Sequence, residues 1–226
     1  MRARLESERG TTLVEVMIAT ATGMVVFAAL TTLIVVTMHS SARVSARVHA
    51  TQEARIALTR VIDQLHSACV TPGVSPVKEG STGTLLRFVH QTGSGAVLTP
   101  VLSEISLSGD TLTQSDYLAT GGTAPSWSFA LKPSSTRQLA TGIGPIPPSS
   151  SIFTYQAYAK KSVSETLPAP LSGANALRTV QVDIAFSAAP GSTSVADAGA
   201  SAQIRDTALL RLTTLAFGKE TDGPCL

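Results

Sequence analysis

The chain has 226 residues, 43% of them hydrophobic and only 14% charged, with a formal net charge of +2. That excess is too mild to argue for nucleic-acid binding. The sequence also contains no Walker loop, dinucleotide fingerprint, nucleophile elbow or zinc cluster, so nothing in it points to catalysis or a cofactor.

The first ten residues form a short charged leader. Arg2, Arg4, Arg9 and the initiator amine face Glu6 and Glu8, and Gly10 closes it. Beyond it runs an apolar stretch whose only ionisable side chain is Glu15, five residues past the glycine. An ionised carboxylate is costly in lipid, so its presence at this depth implies a partner charge. Snorkelling to the nearby headgroups is the alternative, since Glu15 lies about one turn inside. Val16 to Met38 is 23 residues without Asp, Glu, Lys, Arg, His or Pro. As a helix it spans about 34 Å, against about 30 Å for the hydrocarbon core of a bilayer. Its threonines, Thr20, Thr22, Thr31, Thr32 and Thr37, can bond back to carbonyls one turn earlier. The basic flank predicts that the N-terminus stays in the cytoplasm and that the rest crosses. A cleaved secretory signal would have an apolar core of only about 7–15 residues. This one is longer, follows a carboxylate and continues into a helical pattern.

From Ser41 to Val70 there is neither Gly nor Pro. Val44, Val48, Ala54, Leu58, Val61, Ile62, Leu65 and Cys69 recur at helical spacing, and Arg43, Arg47, Glu53, Arg60 and Asp63 fall largely between them. This predicts an amphipathic helix with one core-facing stripe, ended by Thr71-Pro72-Gly73. A continuous helix from Thr12 to Cys69 would be about 87 Å long. After Pro72 the pattern becomes that of strands: 84–90, then 104–108 and 111–114 about a Gly109-Asp110 turn of the type II′ kind, 127–131, 152–158, 179–186 and 206–217. In the 179–186 segment Val180, Val182, Ile184 and Phe186 point one way. Residues 119–151, interrupted by the Trp127 strand, and 187–202 read as long Gly-, Pro- and Ser-rich loops. The predicted fold is α+β, with the amphipathic stripe laid across an antiparallel sheet. The domain division is 1–10 leader, 11–39 membrane and assembly helix, 40–70 amphipathic helix, and 71–226 β-rich head.

His39, His49, His66 and His90 do not form a metal-ligand spacing, and no metal site is expected. The two cysteines, Cys69 and Cys225, both fall on the exported side, where disulfides persist. We expect them to pair, tying the C-terminal tail to the end of the long helix. Closing a loop of about 157 residues would stabilise the fold by roughly 5 kcal/mol. A buried free Cys69 with Cys225 loose in the terminus is the alternative.

Arg9-Gly10 followed by Thr11-Thr12-Leu13-Val14-Glu15-Val16-Met17-Ile18-Ala19 resembles the prepilin cleavage and methylation motif of type IV pilins and pseudopilins. The resemblance implies cutting by a dedicated membrane peptidase between Gly10 and Thr11, N-methylation of Thr11, and Glu15 as the fifth mature residue. This chain departs from the family in having Thr11 where Phe is usual. The resemblance also implies that Glu15 faces the Thr11 amine of a neighbouring subunit in a staggered helical bundle. The segment Gln52 to Leu65 is similar to the helix of minor pilins of the W type and minor pseudopilins of the J type. The implied partners are other pilins or pseudopilins, the prepilin peptidase, the membrane assembly machinery and lipid. The implied place is the inner membrane, then the filament or its tip. Two functions follow as expectations: a structural minor subunit of such a filament, or a membrane-anchored adhesive or receptor module that uses the head's loops.

Overall fold

The structure, a computed structural model, describes residues 12–68, 76–94, 97–123, 126–159, 162–190 and 201–210. The fold is α+β, a long N-terminal helix followed by antiparallel strands. Two compact units divide the chain, Met1–Ala46 and Arg47–Leu226. Helix α1 (Leu13–His66) contributes to both.

In the second unit the strands are β1 (Leu85–Ser94), β2 (Val97–Ser108), β3 (Thr111–Gly121), β4 (Ser128–Phe129), β5 (Ser135–Ala140), β6 (Ile143–Gly144), β7 (Phe153–Ala159), β8 (Ser162–Thr166), β9 (Gln181–Ala188) and β10 (Ala202–Leu209), with a short helix α2 (Gly173–Arg178) before β9. They form two five-stranded sheets. In the first, β1, β2 and β3 lie side by side and β3 pairs with both β4 and β5; in the second the order is β10-β9-β7-β8, with β6 beside β9. The β2–β3 hairpin turns at Gly109-Asp110 as predicted, and Gly109 has φ +63°, the left-handed value that hairpin turns require at this position.

Register decides which side chains share a face. Across the first sheet Leu86, Ile105, Gln114 and Arg137 form one row, and Phe88, Ser103, Asp116 and Ser135 the next. In the second sheet Phe153 lies opposite Ile184, and Tyr155 and Ala208 flank Val182. Val182, Ile184 and Phe186 of β9 are buried, with Val180 just ahead of them, so the predicted alternation holds. The apolar faces of both sheets join Ala54, Ala57, Leu58, Val61, Ile62 and Leu65 of α1 in one core. Each such Leu, Ile or Val contributes about 1.5–3 kcal/mol on leaving water.

Polar contacts also tie the sheets together. Tyr155 Oη donates to the carbonyls of Thr82 (2.8 Å) and Leu85 (3.1 Å), and the Gly83 carbonyl accepts from the amides of Ile152 (2.7 Å) and Phe153 (3.0 Å).

Several expectations need correction. The buried stripe of α1 begins at Ala50, whereas Val44 and Val48 are exposed. Val48 lies two residues, or about 200°, round the helix from Ala50 and so on its far side; Val44 precedes the start of the stripe. The region 119–151 holds β5 and β6 as well as β4, and β8 and α2 were also not anticipated. The strand expected at 206–217 begins earlier, at Ala202. Residues 211–217 and 191–200, the latter within the second expected loop, lie outside the described residues.

Candidate functional site

Helix α1 opens on Thr12, whose carbonyl accepts from the amides of Glu15 (3.0 Å) and Val16 (3.2 Å) and whose Oγ1 lies 3.3 Å from the Glu15 amide. Thr12-Leu13-Val14-Glu15 therefore has the Thr-x-x-Glu spacing of a capping box, with Glu15 at its third helical position. A carboxylate there is also favoured by the positive end of the helix dipole. This local role of Glu15 adds to the partner charge expected from the sequence, and its signal is the Thr-x-x-Glu spacing itself. Gly10 and Thr11, and with them the expected cleavage junction, lie outside the described residues.

Beyond Glu15 the helix presents apolar side chains on every side. Met24 is 73% exposed, Phe27 69% and Leu33 67%. An 18-residue window of α1 has a mean hydropathy of 2.1 and none of it is buried, so the helix is long and apolar enough to cross a membrane. The five threonines conceal their hydroxyls as expected: Thr20 (3.0 Å), Thr22 (2.9 Å), Thr31 (3.0 Å), Thr32 (2.8 Å) and Thr37 (2.7 Å) each donate to the carbonyl four residues earlier. An apolar surface of this extent demands lipid or other helices as its cover.

The second unit has its own polar site. An open groove of about 660 Å³ runs between Ile56, Arg60, Asp63 and Gln64 of α1 and His90 and Thr92 of β1. His90 is buried, and its Nε2 lies 2.9 Å from Ser103 Oγ. Ser103 donates to Asp116 Oδ1 (2.5 Å), and Gln114 Nε2 donates to the same oxygen (2.6 Å). Arg137 donates to Gln114 Oε1 from Nε (3.2 Å) and Nη2 (2.7 Å), and Ser135 donates to Asp116 Oδ2 (3.1 Å). Burial of Asp116 opposes its ionisation, but the hydrogen bonds from Ser103, Gln114 and Ser135, with the Arg137 charge, outweigh it and hold the carboxyl below its usual range. Burial pushes His90 down, against the pull of Asp116 and a backbone bond to Gln91.

This is a His-Ser-Asp chain in which the serine stands in the middle. The single hydroxyl proton of Ser103 goes to Asp116, so His90 is not placed to withdraw it, and the order needed for an activated serine nucleophile is absent here. The geometry serves instead to satisfy buried polar groups where the first sheet's core face turns from apolar to polar. Among the described residues no three His, Cys, Asp or Glu side chains gather as metal ligands do. Of the other residues singled out from the sequence, His39, His49 and His66 are exposed on α1, and Cys69 and Cys225 lie outside the described residues.

No known family matches the chain, and neither does any curated protein or solved structure.

Proposed function

We propose that the chain is a structural minor subunit of a type IV pilus or a related secretion filament, inserted in the inner membrane and assembled through α1. The observation that carries this reading is the fully exposed apolar helix surface from Leu13 to Met38, entered through the single carboxylate of Glu15 and continued, without a break in the helix, into the core stripe that starts at Ala50. A membrane anchor needs the first part alone. A helix used for assembly also needs something to set its register, and a carboxylate in an apolar setting acts only where a cation meets it. The cation in this reading is the amine of Thr11 on a neighbouring subunit, freed when the prepilin peptidase cuts after Gly10. The N-terminus then lies on the cytoplasmic side and the head is exported.

N-terminal sequencing and intact mass of the membrane-extracted chain test the processing step. A start at Thr11 is expected; an uncut Met1, or a start beyond residue 38, overturns it. Glu15→Val tests the register. The variant should remain in the membrane yet enter filaments or their tip complex poorly, and incorporation equal to wild type would refute the pairing.

The groove beside His90 favours a second reading, a membrane-anchored adhesive or receptor module. In it Gln64 Oε1 is buried without a hydrogen-bond partner among the described residues. The two readings share the anchor and differ at the groove: changes there leave assembly intact in both, and abolish surface binding only in the second.

A further inference from the structure

The apolar run ends at Met38, and the next two turns of α1 change character abruptly. His39, Arg43 and Arg47 follow at intervals of four residues, so they form one stripe along the helix, and all three are exposed. Between Glu15 and Glu53 the helix carries no acidic residue. Among the described residues neither Arg43 nor Arg47 has an ion-pair partner. Arg43 also has a direction. Its Nε lies 3.4 Å from the His39 carbonyl, which lays the guanidinium back over the preceding turn, toward the apolar end.

The levels along the helix axis decide what these cations meet. If Met38 marks the edge of the hydrocarbon, the Cα of Arg43 stands about 7.5 Å beyond it and that of Arg47 about 13.5 Å. Directed back by one turn, about 5.4 Å, the Arg43 guanidinium lies about 2 Å past the edge, and an Arg47 side chain turned the same way would reach to about 8 Å. The headgroup layer occupies about 5–7 Å on each side of the bilayer core. Arg43 therefore stands within the layer that holds lipid phosphates and Arg47 reaches its outer boundary, with His39 at its floor. Guanidinium groups match phosphate oxygens in geometry as well as charge.

We propose that Arg43 and Arg47 form a binding site for the phosphates of anionic phospholipids in the leaflet at the Met38 end of the span. The proposal rests on the reading of α1 as a membrane anchor but not on the identity of any filament. The site fixes the depth of the helix at its far end.

The test uses the full chain, purified in detergent and freed of lipid, then titrated with phosphatidylglycerol or phosphatidylcholine and followed by native mass spectrometry. Wild type should bind phosphatidylglycerol the more tightly, and Arg43→Gln with Arg47→Gln should lower that affinity about fivefold per arginine, to the level of phosphatidylcholine. Arg43→Lys with Arg47→Lys should keep most of the preference. Equal binding of the two lipids by wild type, an undiminished preference in the Gln variant, or binding of inorganic phosphate as tight as that of the lipid would overturn the site. Carbonate extraction of wild type from vesicles of the two lipids tests the anchor separately. Retention supports the anchor, leaving the titration to decide on the arginines; release overturns the anchor and the lipid site together.

Discussion

Glu15 can act through its charge on a neighbour or through its place in the first turn of its own helix. Thr12→Val removes the Oγ1 that caps α1 and should cost about 1 kcal/mol of helix start, without touching the carboxylate. Glu15→Gln keeps the capping-box geometry and removes the charge. If register depends on the charge, Glu15→Gln subunits assemble as poorly as Glu15→Val subunits, while Thr12→Val subunits assemble almost normally; the reverse ranking would make Glu15 a capping residue alone. His90 gives a second prediction at this scale. Its folded-state pKa is lowered by burial from an ordinary 6.5. As pH falls below 6.5 the unfolded chain takes up a proton that the native state resists, so stability declines with falling pH. Asp116 acts in the same direction at more acid pH, because its contribution is present above the ordinary value of 3.8 and is lost as pH falls from there through its depressed folded value. Thermal unfolding of the full chain in detergent should show a falling midpoint below about pH 6.5. His90→Gln, which can still bond Ser103, should flatten that slope, and an unchanged slope would remove His90 from the account.

Among the elements, the join between the sheets is the most sharply constrained. A Cβ built on Gly83 would lie 2.1 Å from Ser151 Oγ and 2.6 Å from its Cβ, so no other residue fits there without a shift. Gly83→Ala should destabilise by about 1–3 kcal/mol. Ser151→Gly in the same chain should recover much of the loss; failure of the second change to help would mean that the backbone, not the side chain, limits the site. Leu65→Ala, at the end of the α1 stripe, should cost about 2–5 kcal/mol, read as the shift in urea midpoint. The elements differ in how plainly the sequence announces them. β9 alternates Val, Ile and Phe with polar residues because one face meets the core, and it was legible at once. β5 reads Ser-Thr-Arg-Gln-Leu-Ala, with only Ala140 fully buried, and exists because β3 offers it an edge. A strand recruited by its neighbour's backbone leaves no hydrophobic period to find. The polar site was hidden for a related reason. His90, Ser103, Asp116 and Arg137 are brought together by register across four strands, and no spacing along the chain records that.

At the scale of the whole chain, the pairing of Cys69 with Cys225 remains an expectation that peptide mapping under non-reducing conditions checks. A linked peptide is expected, and two free thiols or a dimer joined through Cys225 would exclude the closed loop. The apolar half of α1 has a consequence of its own. Each of its five threonines spends its proton within its own backbone. A rod built this way has no polar adhesion to acyl chains or to the flanks of other rods. It can slide, turn about its axis, or exchange one apolar bath for another without stranding a donor, so friction along its length is low and nearly the same in every orientation. Such a part needs a latch to stop it anywhere in particular, and the only ionisable group in the slippery half sits at the very first turn.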